Sequence, residues 1–363
     1  MLRFLSTLAA PVCFVVLFAA AGCGRPAGPA GYVSMTGRCM GTKWSAVVDV
    51  PLGTEAQNLG DQVQARLDAV DEAMSTWKAE SELSRFNRAQ AGEEIELSQM
   101  TADVLSLCGP LAAATGGAFD PTVGPLVRLW GFGTYDDVEA PTAEGVMAAK
   151  ALVDWPAIRL TGLVLSKTRN GVELDLSAIA KGHAADLAAE ALLAAGCESF
   201  LLEVGGEMVL RGKNPSGVPW QVGVIDPLTP SNVAQDVSYH AAVSVTGAAV
   251  ATSGDYRNVR EVNGRIVAHA IDPRTGYPIE HSLASVTVVA DTCARADALA
   301  TAALVLGPEK GLRLLESQAG VEGYLLSRVG QGEALTLKTE STSGMEALLM
   351  PPIPQTPKTQ SGH

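Results

Sequence analysis

Two residues with hard oxygen donors, Asp297 and Thr301, lie four positions apart in the Ala- and Leu-rich segment ARADALATAALVLG. Residues at that spacing share one face of a helix, and hard oxygens are the ligands that Mg²⁺ and Ca²⁺ prefer. An acidic side chain is costly to bury in an apolar helix unless it has a partner. The segment therefore predicts either a divalent-cation site or an exposed Asp297 beside Arg295, and spacing alone favours the exposed position.

The segment DLSAIAKGHAAD, residues 175–186, has the pattern of a strand that gives way to a helix. Asp175 ends the predicted strand, Ser177 is placed to cap the helix, and Lys181 falls in its first turns. The amides at a helix start, together with a lysine, attract an anion such as phosphate. The alternative is a capped amphipathic helix with a solvated Lys181, and spacing alone favours that alternative.

Two loops are rich in residues that could contact a ligand. The first, AHAIDPRTGYP at 268–278, holds His269, Asp272 and Arg274 in or beside a tight turn. Histidine is suited to proton transfer near neutral pH, although the same residues also fit a hairpin turn that merely carries polar side chains. The second loop, TGGAFDPTVGPLVRLWGFG at 115–133, is able to enclose a flat ring or simply to turn a corner.

The chain lacks the motifs of several common enzyme classes. It contains no G-x-G-x-x-G after a predicted strand, no G-x-x-x-x-G-K-[ST], no H-E-x-x-H and no G-x-S-x-G. Four cysteines remain beyond residue 23, none of them in a C-x-x-C pair, so a structural zinc site is not expected and a disulfide cannot be assigned from sequence. Any chemistry must come from a less common arrangement.

The composition indicates a folded protein that does not bind nucleic acid. The 363 residues include 26 Lys and Arg and 39 Asp and Glu, for a net charge of −13, and 47% are hydrophobic. That apolar content excludes a disordered chain, and the acidic balance without a basic run argues against a nucleic-acid partner.

The N-terminus is typical of an exported lipoprotein. Residues 1–22 combine one positive charge with a short apolar run that ends in small residues, which predicts a signal peptide. The junction Ala20-Ala21-Gly22-Cys23 resembles a bacterial lipobox, so Cys23 is expected to carry lipid; the alternative is an ordinary cleavage site that happens to precede a cysteine. A Gly- and Pro-rich tether fills the remainder of 23–32.

Helical and strand patterns alternate without a regular βαβ rhythm, which predicts an α+β fold. A single unit over 33–345 and a disordered tail over 346–363 are expected. The predicted helices are Ala56–Met74, Ser98–Thr115, Ser177–Ala195 and Ala294–Leu306, and the predicted strands are Thr42–Val50, Gly171–Leu176, Phe200–Val204, Met208–Leu210, Trp220–Ile225, Ala242–Thr246, Ser285–Val289, Gly323–Arg328 and Leu335–Lys338.

In their order along the chain, these motifs closely resemble the ApbE family of FAD:protein FMN transferases. The resemblance runs over about 33–328 through the segments MGT, MSTW, SELSRFN, GGAFDPTVGPLVRLWGFG, DLSAIAKGHAAD, LLEVGGE, TSGDYRN, HAIDPRTGYP and ADALATA. No single segment is specific, but the ordered set is. It implies an ApbE-like core, a mixed or antiparallel sheet packed with helices, that works as one catalytic unit.

The resemblance also implies roles for individual residues. His269 resembles the family histidine proposed to assist proton transfer, and Thr252, Ser253 and Arg274 would surround the phosphate and the acceptor. Mg²⁺ would be held by the Asp297 side chain, the Thr301 hydroxyl and the Ala178 carbonyl. The residues expected to contact FAD are Met40, Trp77, Ala118, Phe119, Asp120, Asp175, Lys181 and Ile271.

Four positions depart from common family patterns. Ala300 stands where several members have a further Asp, which favours a single Mg²⁺ completed by water and phosphate oxygens. Trp77 and His183 stand where Tyr is frequent, and Ala268 where Ser is frequent. Stacking on Trp77 should survive, whereas local hydrogen bonds at the other two positions should differ.

The implied reaction is attack of a Ser or Thr hydroxyl of a client protein on the FMN phosphorus of FAD, with AMP as the leaving group. The client would be an envelope flavoprotein, and the lipid on Cys23 would hold the enzyme on a bacterial envelope membrane, facing the periplasm. Two alternatives stay open, Mg²⁺-dependent hydrolysis of FAD to FMN and AMP, and a lipoprotein that binds FAD without catalysis.

Overall fold

The computed structural model describes residues 31–132, 140–229, 238–256, 259–262 and 265–350. The predicted signal peptide and Cys23 lie outside these residues, as does the tail from residue 351. Within them, no helix is long and apolar enough to cross a membrane.

Fifteen strands are distributed over one large sheet and three small ones in the described part of the chain. The large sheet is antiparallel and has the order β1-β2-β6-β7-β10-β13-β14-β15, and the small sheets are β3-β5-β4, β8-β9 and β11-β12. The strands are β1 Tyr32–Cys39, β2 Thr42–Asp49, β3 Ile95–Glu96, β4 Ile158–Thr161, β5 Val164–Lys167, β6 Phe200–Val204, β7 Glu207–Arg211, β8 Trp220–Ile225, β9 Tyr239–Val245, β10 Ala248–Gly254, β11 Val259–Val262, β12 Arg265–Ala268, β13 Leu283–Ala290, β14 Glu322–Val329 and β15 Thr336–Ser341.

Helices cover one face of the large sheet. The Ala-rich α7 packs on β10 and β13, and it is flanked by α6 and α8. Small side chains let such a helix approach its neighbours closely, so the main core continues from the sheet through α7 into α6 and α1. The helices are α1 Ala56–Met74, α2 Glu82–Arg88, α3 Gln99–Ala114, α4 Gly124–Leu129, α5 Ala143–Lys150, α6 Ala180–Ala194, α7 Cys293–Leu306 and α8 Pro308–Glu316.

The opposite face of the large sheet is covered by the β8-β9 hairpin, with Trp220 fully buried in a second core. The C-terminal segment adds to this layer, since the Ser244 amide donates to the Leu348 carbonyl (2.8 Å) and the Met350 amide donates to the Ala242 carbonyl (2.9 Å). The fold therefore continues through Met350, past the end expected at residue 345. Because helices cover one face of the sheet and the β8-β9 layer covers the other, β13 is buried along its whole length.

Helices α4 and α5 form a third cluster around Leu126, Trp130 and Val146. The 268–278 turn packs into it, because Ile271 is buried there and the Trp130 indole N–H donates to the Gly276 carbonyl (2.8 Å). This contact joins two loops that are far apart in the sequence.

Most predicted elements are confirmed, and α1 matches its predicted bounds. Gly171–Leu176 is not a strand; it makes only an isolated bridge between Glu173 and Val123. Helix α6 begins at Ala180 rather than Ser177, because the Ser177 amide bonds to the Asp175 side chain (2.8 Å) and the chain turns there. Short elements such as α2, α4 and β3–β5 were not predicted, since they span too few residues to show a period.

All four cysteines of the described chain, Cys39, Cys108, Cys197 and Cys293, are free and buried. Burial raises the pKa of the Cys39 thiol to about 12, and nearby acids add to the effect. These thiols therefore act as small apolar side chains.

Candidate active site

Two hairpin turns lie side by side at one end of neighbouring strands of the large sheet. The first joins β1 to β2 through Met40 and Gly41, whose φ angles of 45° and 71° are those of a tight two-residue turn. The second joins β6 to β7 through Gly205, whose amide donates to the Lys43 carbonyl (3.0 Å). A Cβ on Gly205 would lie 2.9 Å from the Thr42 methyl carbon and 3.4 Å from Lys181 Cδ, so the close approach of the turns requires glycine.

Lys181 lies below these turns, between two buried carboxylates. Its Nζ is 3.2 Å from Glu207 Oε1 and 3.7 Å from Asp297 Oδ2. Asp297 is only 2% exposed, so the alternative of an exposed Asp297 beside Arg295 is wrong; Arg295 pairs with Asp291 instead (3.2 Å). The solvated Lys181 is wrong as well, because buried carboxylates hold the ammonium in place.

The backbone at the start of α6 faces Asp297 directly. The Gly182 amide donates to Asp297 Oδ2 (3.1 Å), whereas the next amide, that of His183, makes the ordinary helical bond to the Ile179 carbonyl (2.9 Å). In an uninterrupted helix the Gly182 amide would bond to the Ala178 carbonyl. Because α6 begins at Ala180, the Gly182 amide is one of the unpaired donors of its first turn, and Asp297 satisfies it.

Helices α6 and α7 approach closely at this point. A Cβ on Gly182 would lie 2.3 Å from the Cys293 carbonyl oxygen, so only glycine allows the contact. Asp186, one turn further along α6, accepts hydrogen bonds from the amides of Cys293 (2.8 Å) and Ala294 (2.9 Å) at the start of α7. Burial raises the pKa of Asp186 to about 6, although these two hydrogen bonds lower it. The two helices are thereby joined one turn before Asp297.

Thr301 is joined to β10. Its hydroxyl lies 3.1 Å from the Ser253 hydroxyl on the helix-covered face of the sheet. Thr252, the neighbouring residue of the strand, bonds to Thr287 instead (2.9 Å). Because residues alternate between the two faces of a strand, Ser253 faces the candidate site, whereas Thr252 faces the opposite side of the sheet.

The donors around Asp297 fit a single hard divalent cation. In the described ranges no group of three or more His, Cys, Asp and Glu side chains is arranged to hold a metal. The buried Asp297 carboxylate and the Thr301 hydroxyl are oxygen donors on one face of α7, and with the Ala178 carbonyl expected from the sequence they would leave coordination positions for water and ligand oxygens, as Mg²⁺ commonly keeps. It does not suit zinc, which prefers nitrogen and sulfur.

A second group of predicted residues lies on the 115–133 loop and on the neighbouring segment 171–176, which carries Asp175. Ala118 and Phe119 are buried. Asp120 Oδ1 accepts hydrogen bonds from the Thr122 amide (2.8 Å) and hydroxyl (2.6 Å), and burial raises the pKa of Asp120 despite them. The Asp175 amide donates to the Pro121 carbonyl (2.7 Å). The structure thus brings Asp175 against the loop that carries 118–120.

A cleft of about 260 Å³ opens between this loop and the 268–278 turn. Arg274 lies at the cleft, and Asp272 holds its guanidinium through two hydrogen bonds (2.8 and 2.7 Å), which also raise the pKa of Arg274. His269 follows β12 directly and Ile271 is buried two residues later. The residues that line the cleft are Gly117, Asp120, Lys150, Val153, Pro273 and Arg274.

Trp77 lies in the connection between α1 and α2. Its side chain is 66% exposed, and its amide donates to the Ser75 hydroxyl (3.1 Å). A large aromatic side chain so exposed on a hydrogen-bonded turn is able to stack on a flat ligand.

Sequence reasoning missed several residues of this region. Glu203 and Glu207 are both buried, and Glu203 bonds to the Gly206 amide (2.7 Å) and the Ser45 hydroxyl (3.1 Å). Their signal was the pair of acids in LEVGGE, within strands that are mostly apolar. Asp186 was visible in the sequence as an acid on the Ala-rich α6, but its partner lies 107 residues further along the chain.

Comparison with known proteins agrees with this architecture. The sequence model of the ApbE family matches residues 40–325. A FAD:protein FMN transferase of Klebsiella pneumoniae (strain 342) is 40% identical over 313 residues, which are 85% of this chain and 88% of the relative. This chain belongs to the ApbE family.

Solved structures of the family have the same fold. The flavin transferase ApbE from Vibrio cholerae superposes with a TM-score of 0.78 at 34% identity, over 88% of this chain and all of that one. The apo form of the flavinyl transferase ApbE from Pseudomonas stutzeri gives a TM-score of 0.78 at 37% identity, over 87% of this chain and 96% of the other. The expected α+β core of one sheet packed with helices is confirmed.

Proposed function

We propose that this ApbE-family enzyme transfers the FMN half of FAD to a Ser or Thr hydroxyl of a client protein, with Mg²⁺ as the metal and AMP as the leaving group. The observation that carries the proposal is the burial of Asp297 beside Lys181 and on the same helix face as Thr301, where two glycine turns meet. The name of the relatives, FAD:protein FMN transferase, supports the reaction class.

Asp297, Thr301 and the Ala178 carbonyl are proposed to hold the metal. A bound Mg²⁺ supplies charge neutralisation at the diphosphate and at the departing phosphate. Asp297 is suited to this role because it is buried, and an ionic contact is stronger where water is excluded.

Lys181 is proposed to orient the diphosphate. Its ammonium lies within 3.2 Å of Glu207 and 3.7 Å of Asp297, so its charge is offset and its position is restrained before any ligand arrives. A restrained donor loses little entropy on binding. The amides at the start of α6 add partial positive charge on the same side.

The flavin nucleotide is proposed to contact Met40 and Trp77. Ile271 and the two linked segments that carry Ala118–Asp120 and Asp175 are proposed to line the FAD pocket. Burial of Phe119 and the hydrogen bonds of Asp120 restrain that loop. The exposed ring of Trp77 offers a stacking surface.

The proposed transfer forms one bond to phosphorus and breaks another. The client oxygen forms a bond to the FMN phosphorus, the bond from that phosphorus to the bridging oxygen breaks, and AMP leaves with the bridging oxygen. The proton of the client hydroxyl passes to His269, the proposed base. Ser253 and Arg274 are proposed to line the acceptor side.

The place of the reaction is proposed from the N-terminal sequence. Cleavage before Cys23 and lipidation of that residue would anchor the enzyme to an envelope membrane on the periplasmic side. The client is proposed to be an envelope flavoprotein with a short Thr-containing acceptor segment.

The test is incubation of the full chain, solubilised in detergent, with FAD, Mg²⁺ and a candidate client, followed by intact mass analysis of the client. A mass gain of one FMN, lost when EDTA is added, is the expected result. Free FMN and AMP without a labelled client would indicate hydrolysis, and intact FAD that stays bound would indicate a binding protein. Either result contradicts the proposed transfer.

A further inference from the structure

The segment that carries Asp175 is held by side chains instead of by a neighbouring strand. Asn87 Nδ2 donates to the Leu174 carbonyl (2.8 Å), and Asn87 Oδ1 accepts from the Leu174 amide (2.7 Å). An amide side chain has one acceptor and a pair of donor hydrogens, so Asn87 presents the same donor and acceptor that a paired strand would present. Both backbone groups of the residue before Asp175 are thereby satisfied.

A buried lysine holds the same segment two residues earlier. Lys167 is 1% exposed, and its Nζ donates to the carbonyls of Val172 (2.8 Å), Phe86 (3.1 Å) and Asn87 (3.1 Å). The ammonium therefore joins the end of α2 to the segment that leads to Asp175. Burial lowers the pKa of Lys167.

Asn87 connects further residues that the proposed function places around FAD. Downstream, the Asp175 amide donates to the Pro121 carbonyl (2.7 Å), directly after Asp120. Upstream, α2 is fixed to the turn that carries Trp77, because the hydroxyls of Ser81 and Ser84 donate to the Ser75 carbonyl (2.6 and 3.1 Å). The two sides of the proposed flavin pocket meet at Asn87.

We propose that Asn87 is a positioning residue for FAD, which sets Asp175 and the Asp120 loop relative to the Trp77 turn. This inference rests on the proposed function. It goes beyond it because Asn87 is given no contact with FAD and acts through the backbone of Leu174.

The test compares Asn87→Ala and Asn87→Asp with the wild-type enzyme. FAD affinity is measured by flavin fluorescence at fixed Mg²⁺, and KM and kcat are measured for transfer. Loss of a partner for a partly buried backbone group is expected to weaken FAD binding by about tenfold. KM for FAD should rise while kcat at saturating FAD stays near wild type. Asn87→Asp keeps the size and the acceptor of asparagine but puts a charged oxygen against the Leu174 carbonyl, so it should weaken FAD binding as well and serves if the alanine variant does not fold.

Two controls separate positioning from general destabilisation. Asn58→Ala removes an exposed asparagine of α1, and Val243→Ala opens the core on the opposite sheet face. Both should keep wild-type FAD affinity, although Val243→Ala should lower the melting temperature. Wild-type FAD affinity in both Asn87 variants would overturn the inference, as would an equal loss in Val243→Ala. Failure of the wild-type enzyme to bind FAD would instead contradict the proposed function.

Discussion

The backbone amide of Gly182 donates a 3.1 Å hydrogen bond to Oδ2 of Asp297, across the point where α6 and α7 are closest. The contact requires glycine, because a Cβ at position 182 would lie 2.3 Å from the Cys293 carbonyl oxygen. The carboxylate is thus oriented by the backbone of one helix while it is carried by another. An orientation fixed in this way makes the site sensitive to the spacing of the two helices.

Gly182→Ala is therefore expected to separate α6 from α7 and to weaken the site. The added methyl group meets backbone atoms that have little room to move, so the free energy of unfolding should fall by about 1–3 kcal/mol, although alanine favours a helix. The Mg²⁺ concentration for half-maximal transfer should rise. Thermal melting and Mg²⁺ titration measure the two effects.

Gly60→Ala is the matched control, since Gly60 lies within α1 and a Cβ there meets only the Met35 sulfur at 3.5 Å. It should raise stability by up to about 1 kcal/mol through helix propensity. The account of the α6–α7 contact is wrong if Gly182→Ala behaves like Gly60→Ala.

Asp297→Asn is expected to abolish most of the Mg²⁺-dependent transfer while the fold remains. An asparagine oxygen still accepts from the Gly182 amide, but the negative charge for the metal is gone. A metal contributes several kcal/mol to such a reaction, so the rate should fall by at least about a hundredfold. The rate is measured as a function of Mg²⁺ concentration.

Asp291→Asn controls for loss of an acid next to the same helix. Asp291 is exposed, and its side chain pairs with Arg295 and accepts a hydrogen bond from the Thr292 amide. Its Mg²⁺ curve should match that of the wild-type enzyme. An unchanged curve for Asp297→Asn would remove Asp297 from the proposed metal site.

Asp186 should make stability depend on pH between about 4 and 6. Burial raises the pKa of Asp186 from 3.8 to about 6, so within this window the folded state binds more protons than the unfolded state. The contribution of Asp186 to stability therefore declines as pH rises through the window. Asp186→Asn removes this slope, and it also loses one hydrogen bond to the start of α7 at every pH.

Urea unfolding of both proteins at about pH 4, 5 and 6, which span the window, measures the effect. The gap in unfolding free energy between wild type and Asp186→Asn should be largest at the lowest pH and should narrow as pH rises. Asp61→Asn, an exposed acid on α1, serves as the control. A gap that stays constant across the three values would contradict the burial of an ionisable Asp186.

The local sequence pattern predicts an element correctly where the element has a regular apolar period and tertiary contacts do not change its conformation. The spacing of Leu59, Val63 and Leu67 predicts α1 because all three side chains are buried against one neighbouring layer. The segment 171–176 has the apolar alternation of a strand, but the Leu174 and Val172 backbone groups are paired with the side chains of Asn87 and Lys167 and not with a strand. Side-chain partners at such a distance leave no trace in the local pattern.

The site was predictable as a set of motifs but not as a geometry. Spacing on α7 favoured an exposed Asp297, and only the fold brings Lys181 and the Gly182 amide to it from 116 and 115 residues earlier in the chain. Glu207 is a similar case, because its role as the closer partner of Lys181 depends on a turn between two strands. Burial and pairing of charges are tertiary facts, so a single sequence does not determine them.

Trp77 is expected to affect FAD binding without affecting the fold, because 66% of its side chain is exposed. Trp77→Ala should weaken FAD binding about tenfold, since it removes both a stacking contact and apolar area that a flat ring would cover. Trp77→Tyr should keep most of the affinity because a phenol ring also stacks. Equilibrium titration with FAD measures affinity, and the melting temperature of both variants should stay within about 2 °C of wild type, as is usual for exposed positions. Leu52→Ala, a change at a fully exposed apolar residue, should leave FAD affinity unchanged. Equal affinities for Trp77→Ala and the wild-type enzyme would show that the ring takes no part in binding FAD.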